Sequence, residues 1–290
     1  MSITRRTLLK AAGLAGASTV LPRLATADSI IGDTKLTRFA CNVESWWTHL
    51  NFMERFERAA EAGFGAIEFW QIDQPGRDVS AIAATCRDLG LEVVQFTGWG
   101  APSLADPGNH ADFERRMRQA IEVADMLDAP MFTIVGHQVV AGIDQATSVA
   151  HIESALSKVA PLLEAAGKTA ILEPFNPVDH QGHFLNGSGD VLAICRSIDS
   201  QAVKINWDLY HMQLTEGNLI ASMRDGVKQI GYVQIADVPG RHQPGTGEID
   251  YTHIFAALDD LGYAGPIGLE CWPKDGDADR ALADLLATVG

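Results

Sequence analysis

Short apolar, β-rich runs alternate with longer amphipathic ones along most of the chain. LTRFACN (36–42), AIEFW (66–70), LEVVQFTG (91–98) and MFTIVG (131–136) read as strands. TAILEP (169–174), VKINWD (203–208), IGYVQIAD (230–237) and PIGLEC (266–271) read the same way. Between them, FMERFERAAEAGF, DFERRMRQAIEVADMLDA and HIESALSKVAPLLEAAG carry apolar residues at helical spacing. The first and last of these close on Gly63 and Gly167, residues suited to a helix C-terminus. Strict alternation predicts a parallel sheet with helices outside it. Eight units predict closure into a single α/β barrel of the (β/α)8 kind rather than an open sheet. No G-x-G-x-x-G follows the first strand, which weakens a dinucleotide-binding alternative further. No Pro, Gly or Ser linker divides the body, so one domain is expected.

The first residues break this rhythm. TRRTLLK at 4–10 pairs Arg5 with Arg6, and the mildly apolar AAGLAGASTVL follows, then Arg23 and Ala25-Thr26-Ala27. This is the pattern of a twin-arginine export signal with cleavage after Ala27. Residues 1–27 are therefore expected to be a signal peptide and 28–290 the catalytic barrel. The barrel segment is 263 residues long, near the ~250 typical of eight-stranded barrels. The expected location is the periplasm, with the twin-arginine machinery as a partner and folding completed before export.

Composition narrows the function classes. With 22 Lys+Arg against 37 Asp+Glu the formal charge is −15, and loss of four basic residues with the signal makes it −19. An interaction built on phosphate contacts needs a basic surface, so nucleic acid is not an expected partner. Four scattered cysteines with no C-x-x-C pair disfavour a disulfide framework and a zinc ribbon. Cys41 and Cys271 are expected to be neighbours where the first and eighth strands meet; an oxidising periplasm would allow a disulfide, and folding before export favours free thiols. No apolar stretch of about 18 residues is present, so the mature form is expected to lack a membrane span.

In such a barrel the active site lies at the carboxyl ends of the strands. Glu173 ends the fifth strand, Asp208 the sixth and Glu270 the eighth, while the seventh carries Gln234. Adjacent strands are about 4.8 Å apart, so these oxygen donors can converge on one point. Three carboxylates and an amide oxygen suit a hard divalent cation, Mg²⁺ or Mn²⁺. His211 and His183 are placed to touch substrate or to orient carboxylates, and Arg241 to bind an anionic group. His137 and Glu68 are candidates for the mouth of the site, and Trp46, Trp70 and Trp99, near strand ends, for its walls, with aromatic packing as the alternative for each. For Glu68 a structural pairing with Lys204, which period-two alternation turns to the same strand face as Asn206 and Asp208, is the preferred reading.

LEPFN, HQGHFL, NWDLYHMQLTEGNL, GYVQIADVPGRHQPGTGEIDY and LGYAGPIGLECWP together resemble the hydroxypyruvate isomerase branch of the xylose isomerase-like TIM barrels. The intervals agree: 35 residues from Glu173 to Asp208, 26 to Gln234 and 36 to Glu270. The resemblance implies that Glu173, Asp208, Gln234 and Glu270 bind the metal and that Glu173 and Glu270 shuttle a proton. It also implies that His211 and Arg241 contact the substrate. In the similar ketose 3-epimerases the third ligand is usually His, and Gln234 favours the isomerase branch. The implied reaction is isomerisation of a small hydroxy-keto acid or sugar through an enediolate, with hydroxypyruvate giving tartronate semialdehyde as the first choice. A sugar 3-epimerase or a lyase acting on keto-sugars or glycosides stands as the alternative, and a sugar-binding barrel without catalysis as a third. A homo-oligomer is left open.

Overall fold

A computed structural model describes residues 35–289. The signal peptide expected at 1–27 lies outside these residues. Eight strands form: β1 (Phe39–Asn42), β2 (Ala66–Gln71), β3 (Glu92–Trp99), β4 (Met131–Ile134), β5 (Thr169–Leu172), β6 (Val203–Asp208), β7 (Ile230–Gln234) and β8 (Ile267–Leu269). All neighbours pair in parallel, and β1 joins β8 through Phe39–Ile267, Ala40–Gly268 and Cys41–Leu269, closing the barrel in the order β1 to β8. Several strands are shorter than their apolar runs. Residues 35–38 wind into a short 3₁₀ turn, and β4, β5, β7 and β8 stop early because the chain leaves the ladder to form the loops at the rim.

Each helix follows its strand: α1 (Phe52–Glu61), α2 (Val79–Leu89), α3 (His110–Leu127), α4 (Gln145–Ala166), α5 (Ser188–Ile198), α6 (Leu209–Thr215), α7 (Leu219–Gly226), α8 (Tyr251–Asp260) and α9 (Ala278–Val289). Local chemistry sets their ends. The Asp144 carboxylate accepts from Thr147 N and starts α4, and Gly167 at φ 66° ends it, a left-handed position that glycine adopts without strain. The main apolar core lies between strands and helices, where Phe56, Phe69, Phe96 and Phe132 are all fully buried. Cys41 and Cys271 are both buried free thiols.

The barrel interior is layered. Its floor is apolar, made by Ala40, Ala66, Val94, Ile171 and Tyr232 with Met131 packed against them. Above the floor lies a polar layer centred on Glu68, which is fully buried. Its carboxylate accepts from Asn42 Nδ2 at 3.1 Å, from Gln95 Nε2 at 2.9 Å and from Gln234 Nε2 at 3.0 and 3.2 Å. The far ends of two of those amides are also engaged: Gln95 Oε1 accepts from Thr133 Oγ1 and Gln234 Oε1 from Asn206 Nδ2. Gly268 makes room for this layer, since a Cβ there would fall 2.7 Å from Glu68 Oε1. The Glu68–Lys204 pairing is corrected: Lys204 Nζ donates to the Lys228 carbonyl at 3.0 Å. Both side chains point inward, but Lys204 pairs in register with the floor residue Ile171, below the level of Glu68.

Candidate active site

Five of the expected residues line one cavity of about 650 Å³ at the carboxyl rim: Trp70, Glu173, His211, Arg241 and Glu270. Asp208, buried at the end of β6, meets them from below. Its position is built by helix capping. Asp208 Oδ1 accepts from Tyr210 N at 2.8 Å and starts α6, which places His211 over the site, while Oδ2 faces Arg241 Nη2 at 2.8 Å. His211 Nε2 lies 3.4 Å from Asp208 Oδ2 and 3.5 Å from Glu173 Oε1. Glu270 is held from two sides: Trp70 Nε1 donates to Oε1 at 2.9 Å, and Arg241 Nη2 lies 3.2 Å from Oε2.

Arg241 is delivered by a loop that one carboxylate organises. Asp237 Oδ2 accepts from the backbone N–H groups of Gly245, Thr246 and Gly247, and Oδ1 from those of Val238 and Ile249. Trp272 N then donates to the Arg241 carbonyl at 2.9 Å. The guanidinium lies against the faces of Tyr210 and Trp272, at 5.0 and 5.6 Å from the ring centroids.

Three buried carboxylates, Glu173, Asp208 and Glu270, thus share one guanidinium. Burial raises the proton affinity of all three. The Glu173 carboxyl is pushed well above the usual range, by burial first and by Glu270 and Asp208 next. Burial lifts Glu270 to about 8 against the opposing pull of Arg241. Asp208 is raised for the same reason, again opposed by Arg241. Arg241 itself is shifted up, because the three acids outweigh the cost of its burial. The imbalance is what a divalent cation corrects, and hard oxygen donors are what Mg²⁺ or Mn²⁺ prefers. The residues present therefore fit such an ion. Ligand atoms of Glu173, Asp208 and His211 already lie within 4.8 Å of one another. Gln234 is buried at the end of β7, with its amide tied to Glu68 and Asn206 and one carbonyl lone pair still free in this arrangement.

Other expected residues sit elsewhere. Glu68 belongs to the polar layer beneath the site. His137 is fully buried behind Glu173, its Nε2 2.9 Å from the Glu173 carbonyl, and burial lowers its pKa to about 3. His183 packs on His137 and Phe175. Neither histidine lines the cavity. Trp99 turns away, donating from Nε1 to the Pro102 carbonyl and packing edge-on to Phe113. Trp46 is core, donating to the Leu269 carbonyl. The walls come from Trp70, Trp272, Phe175 and Tyr210. Asn176, Asp179 and Asp237 were not legible as site residues. Asn176 and Asp237 do follow Glu173 and Gln234 by three residues each, and that proximity was their only signal.

Comparison with known proteins identifies the family of this barrel. Residues 56–288 match the family described as xylose isomerase-like TIM barrel. A 2-oxo-tetronate isomerase from Cupriavidus necator is 33% identical over 248 residues, covering 83% of this chain and 95% of that protein. The hydroxypyruvate isomerase of Escherichia coli is 29% identical over 244 residues, covering 82% and 95% respectively. Among solved structures, one titled AP endonuclease, family 2, from Brucella melitensis superposes with a TM-score of 0.78 at 28% identity, covering 85% of this chain and 97% of that one. With its closed eight-stranded barrel and a match spanning most of its length, this chain belongs to the xylose isomerase-like TIM-barrel family.

Proposed function

We propose that this protein is a divalent-metal-dependent isomerase of small keto acids, with hydroxypyruvate to tartronate semialdehyde as the reaction of first choice. The observation that carries the reading is the pair Glu173 and Glu270, which face one cavity from strands three apart with a cationic side chain between them. The names of the relatives, hydroxypyruvate isomerase and 2-oxo-tetronate isomerase, support the same class of substrate.

The residues divide the work as follows. Arg241 lines the cavity, and its Nε is buried without a hydrogen-bond partner, so it can receive the substrate carboxylate. One of the two glutamates removes a proton from the hydroxyl-bearing carbon, and the other returns one to the neighbouring carbonyl carbon, while the hydroxyl proton passes to the former carbonyl oxygen, so that the hydroxyl becomes the new carbonyl and the old carbonyl the new hydroxyl. A carboxylate with raised proton affinity is the stronger base toward a weakly acidic C–H. His211 Nε2, also buried without a partner, points among the carboxylates and can hydrogen-bond the substrate oxygen that gains charge. Glu173, Asp208, Gln234 and Glu270 would hold Mg²⁺ or Mn²⁺, which supplies Lewis-acid polarisation of the carbonyl and adjacent hydroxyl. Trp70 and Trp272 shield the reacting atoms from water. In this reading residues 1–27 send the folded protein to the periplasm by the twin-arginine route. Activity found wholly in the cytoplasmic fraction would refute that part.

A second reading keeps the metal and the glutamates and enlarges the substrate. About 650 Å³ bounded by four aromatic rings is generous for a triose acid and suits a keto-sugar or glycoside, as a 3-epimerase or lyase would require. A nucleic-acid substrate fits poorly with a charge of −15. The deciding experiment is NMR in D₂O with Mn²⁺- or Mg²⁺-loaded protein. Deuterium incorporation and tartronate semialdehyde formed from hydroxypyruvate are the expected result. Exchange confined to ketoses or 3-keto-glycosides would move the assignment to the second reading. No exchange by metal-loaded protein with any of them would reject both in favour of a non-catalytic sugar-binding barrel.

A further inference from the structure

His211 enters the site with one ring nitrogen already committed. Asn176, fully buried in the loop between β5 and α5, has its amide orientation dictated by the backbone. Its Oδ1 accepts from Val178 N and Asp179 N, both at 2.9 Å. The Nδ2 end is left with two hydrogens and two acceptors, Asp179 Oδ2 at 3.2 Å and His211 Nδ1 at 2.7 Å. Flipping the amide would set its nitrogen against two N–H donors and its oxygen against a carboxylate. An amide nitrogen only donates, so His211 Nδ1 must accept, and the ring carries its proton on Nε2. Tyr210 pins the arrangement by donating its hydroxyl to the same Asp179 oxygen at 2.7 Å.

The consequence falls on the other face of the ring. A lone pair at Nε2 would let His211 join Glu173 and Asp208 around a metal, whereas a proton there makes it a donor. We propose that Asn176 is a positioning residue that locks His211 in the Nε2–H tautomer, keeping it off the metal and aiming a hydrogen-bond donor at the substrate oxygen on which charge builds. The tautomer stands on the hydrogen-bond pattern alone, and the role toward substrate rests on the isomerase reading above.

The test is long-range ¹H–¹⁵N correlation on the full chain carrying ¹⁵N-labelled histidine. The spectrum of H211N identifies the His211 signals among those of nine histidines. The wild type should show the Nε2–H pattern. In N176D one carboxylate oxygen can still accept from Val178 N and Asp179 N, while the other faces both His211 Nδ1 and the Asp179 carboxylate, an added negative charge that a proton on Nδ1 relieves. The ring should then switch to the Nδ1–H form. On hydroxypyruvate, kcat should fall about 10- to 100-fold with a much smaller change in KM, the size expected for a misdirected donor to a developing oxyanion. An Nδ1–H pattern at His211 in the wild type overturns the proposal, and so does an unmoved tautomer in folded N176D. If the wild type turns over no substrate, the isomerase reading falls and the role toward substrate with it, while the spectrum still decides the tautomer.

Discussion

Glu68 and Glu270 are buried glutamates inside the same barrel, one layer apart, and their surroundings differ in kind. Around Glu68 the protein has gathered neutral amide donors from β1, β3 and β7, and every contact is a hydrogen bond of ordinary length. Around Glu270 it has gathered other acids, one guanidinium and a single indole N–H from Trp70 on Oε1, and Oε2 is left with only the 3.2 Å ion contact to Arg241. The first is a carboxylate solvated by the protein; the second is left short of counter-charge in a cavity. Burial by itself does not mark a working acid. The mark is burial without satisfaction, because a group so placed has affinity left over for a proton, a cation or a substrate.

Breaking the site should cost activity and spare the fold. In the proposed mechanism E270Q removes a proton-transfer group and should lower kcat by about 10³-fold or more on hydroxypyruvate, with the circular dichroism spectrum unchanged. Near-normal turnover would eliminate Glu270 as a proton carrier.

The comparison also has a pH signature. Without metal, Glu270 has its pKa raised to about 8 in the folded state, above the usual ~4.5 of the unfolded chain, with Glu173 and Asp208 shifted in the same direction. A raised folded pKa means stability is fully present below the unfolded value and is lost as pH rises through the folded one. Metal-free protein should therefore lose on the order of a few kcal/mol between pH 5 and 8, and Mn²⁺ should restore most of it at pH 8. Thermal unfolding with EDTA and with Mn²⁺ measures both. A larger metal effect at pH 5 than at pH 8 would contradict this account of the rim.

Removing the Glu68 carboxylate should instead cost stability. E68Q sets a new amide against donors already aimed at a carboxylate, and a buried unsatisfied group costs about 1–3 kcal/mol. Urea titration should show that loss. An unchanged midpoint would mean that the polar layer is not structural. The smallest effect is expected from K204M, about 1 kcal/mol or less, since only the bond to the Lys228 carbonyl is lost. A loss as large as that of E68Q would revive an ion pair between the two residues.

The barrel and its rim chemistry were legible in the sequence because both rest on short-range regularities. Alternating apolar runs gave eight strands, and Glu173, Asp208, Arg241 and Glu270 stand where strands end or just beyond. Height inside the barrel was not legible. Period two says that Glu68 and Lys204 point inward, but strand tilt and register place Lys204 beside the floor and Glu68 among amides. Nor were Asn176 and Asp237, whose roles arise only when loops fold back on their own backbone N–H groups. Trp99 looked like a wall for the same reason that Trp70 did, its place at a strand end. The partners that decide between them, the Pro102 carbonyl and Glu270, lie three residues away and two hundred.

The cavity wall divides by origin: its acids, His211 and Arg241 come from β5 to β8 and the turns after them, while Gln71, Gln74, Thr97 and Val135 come from β2 to β4. Reaction and selectivity are thereby separable in heredity. Apart from Trp70, whose indole holds Glu270, substitutions on the β2–β4 side can reshape which molecule is admitted without touching the groups proposed to move protons. One ancestral machine can so diverge toward acids, ketoses or glycosides by remodelling half of its mouth. For an engineer, the same division says where to randomise and where to leave the chain alone.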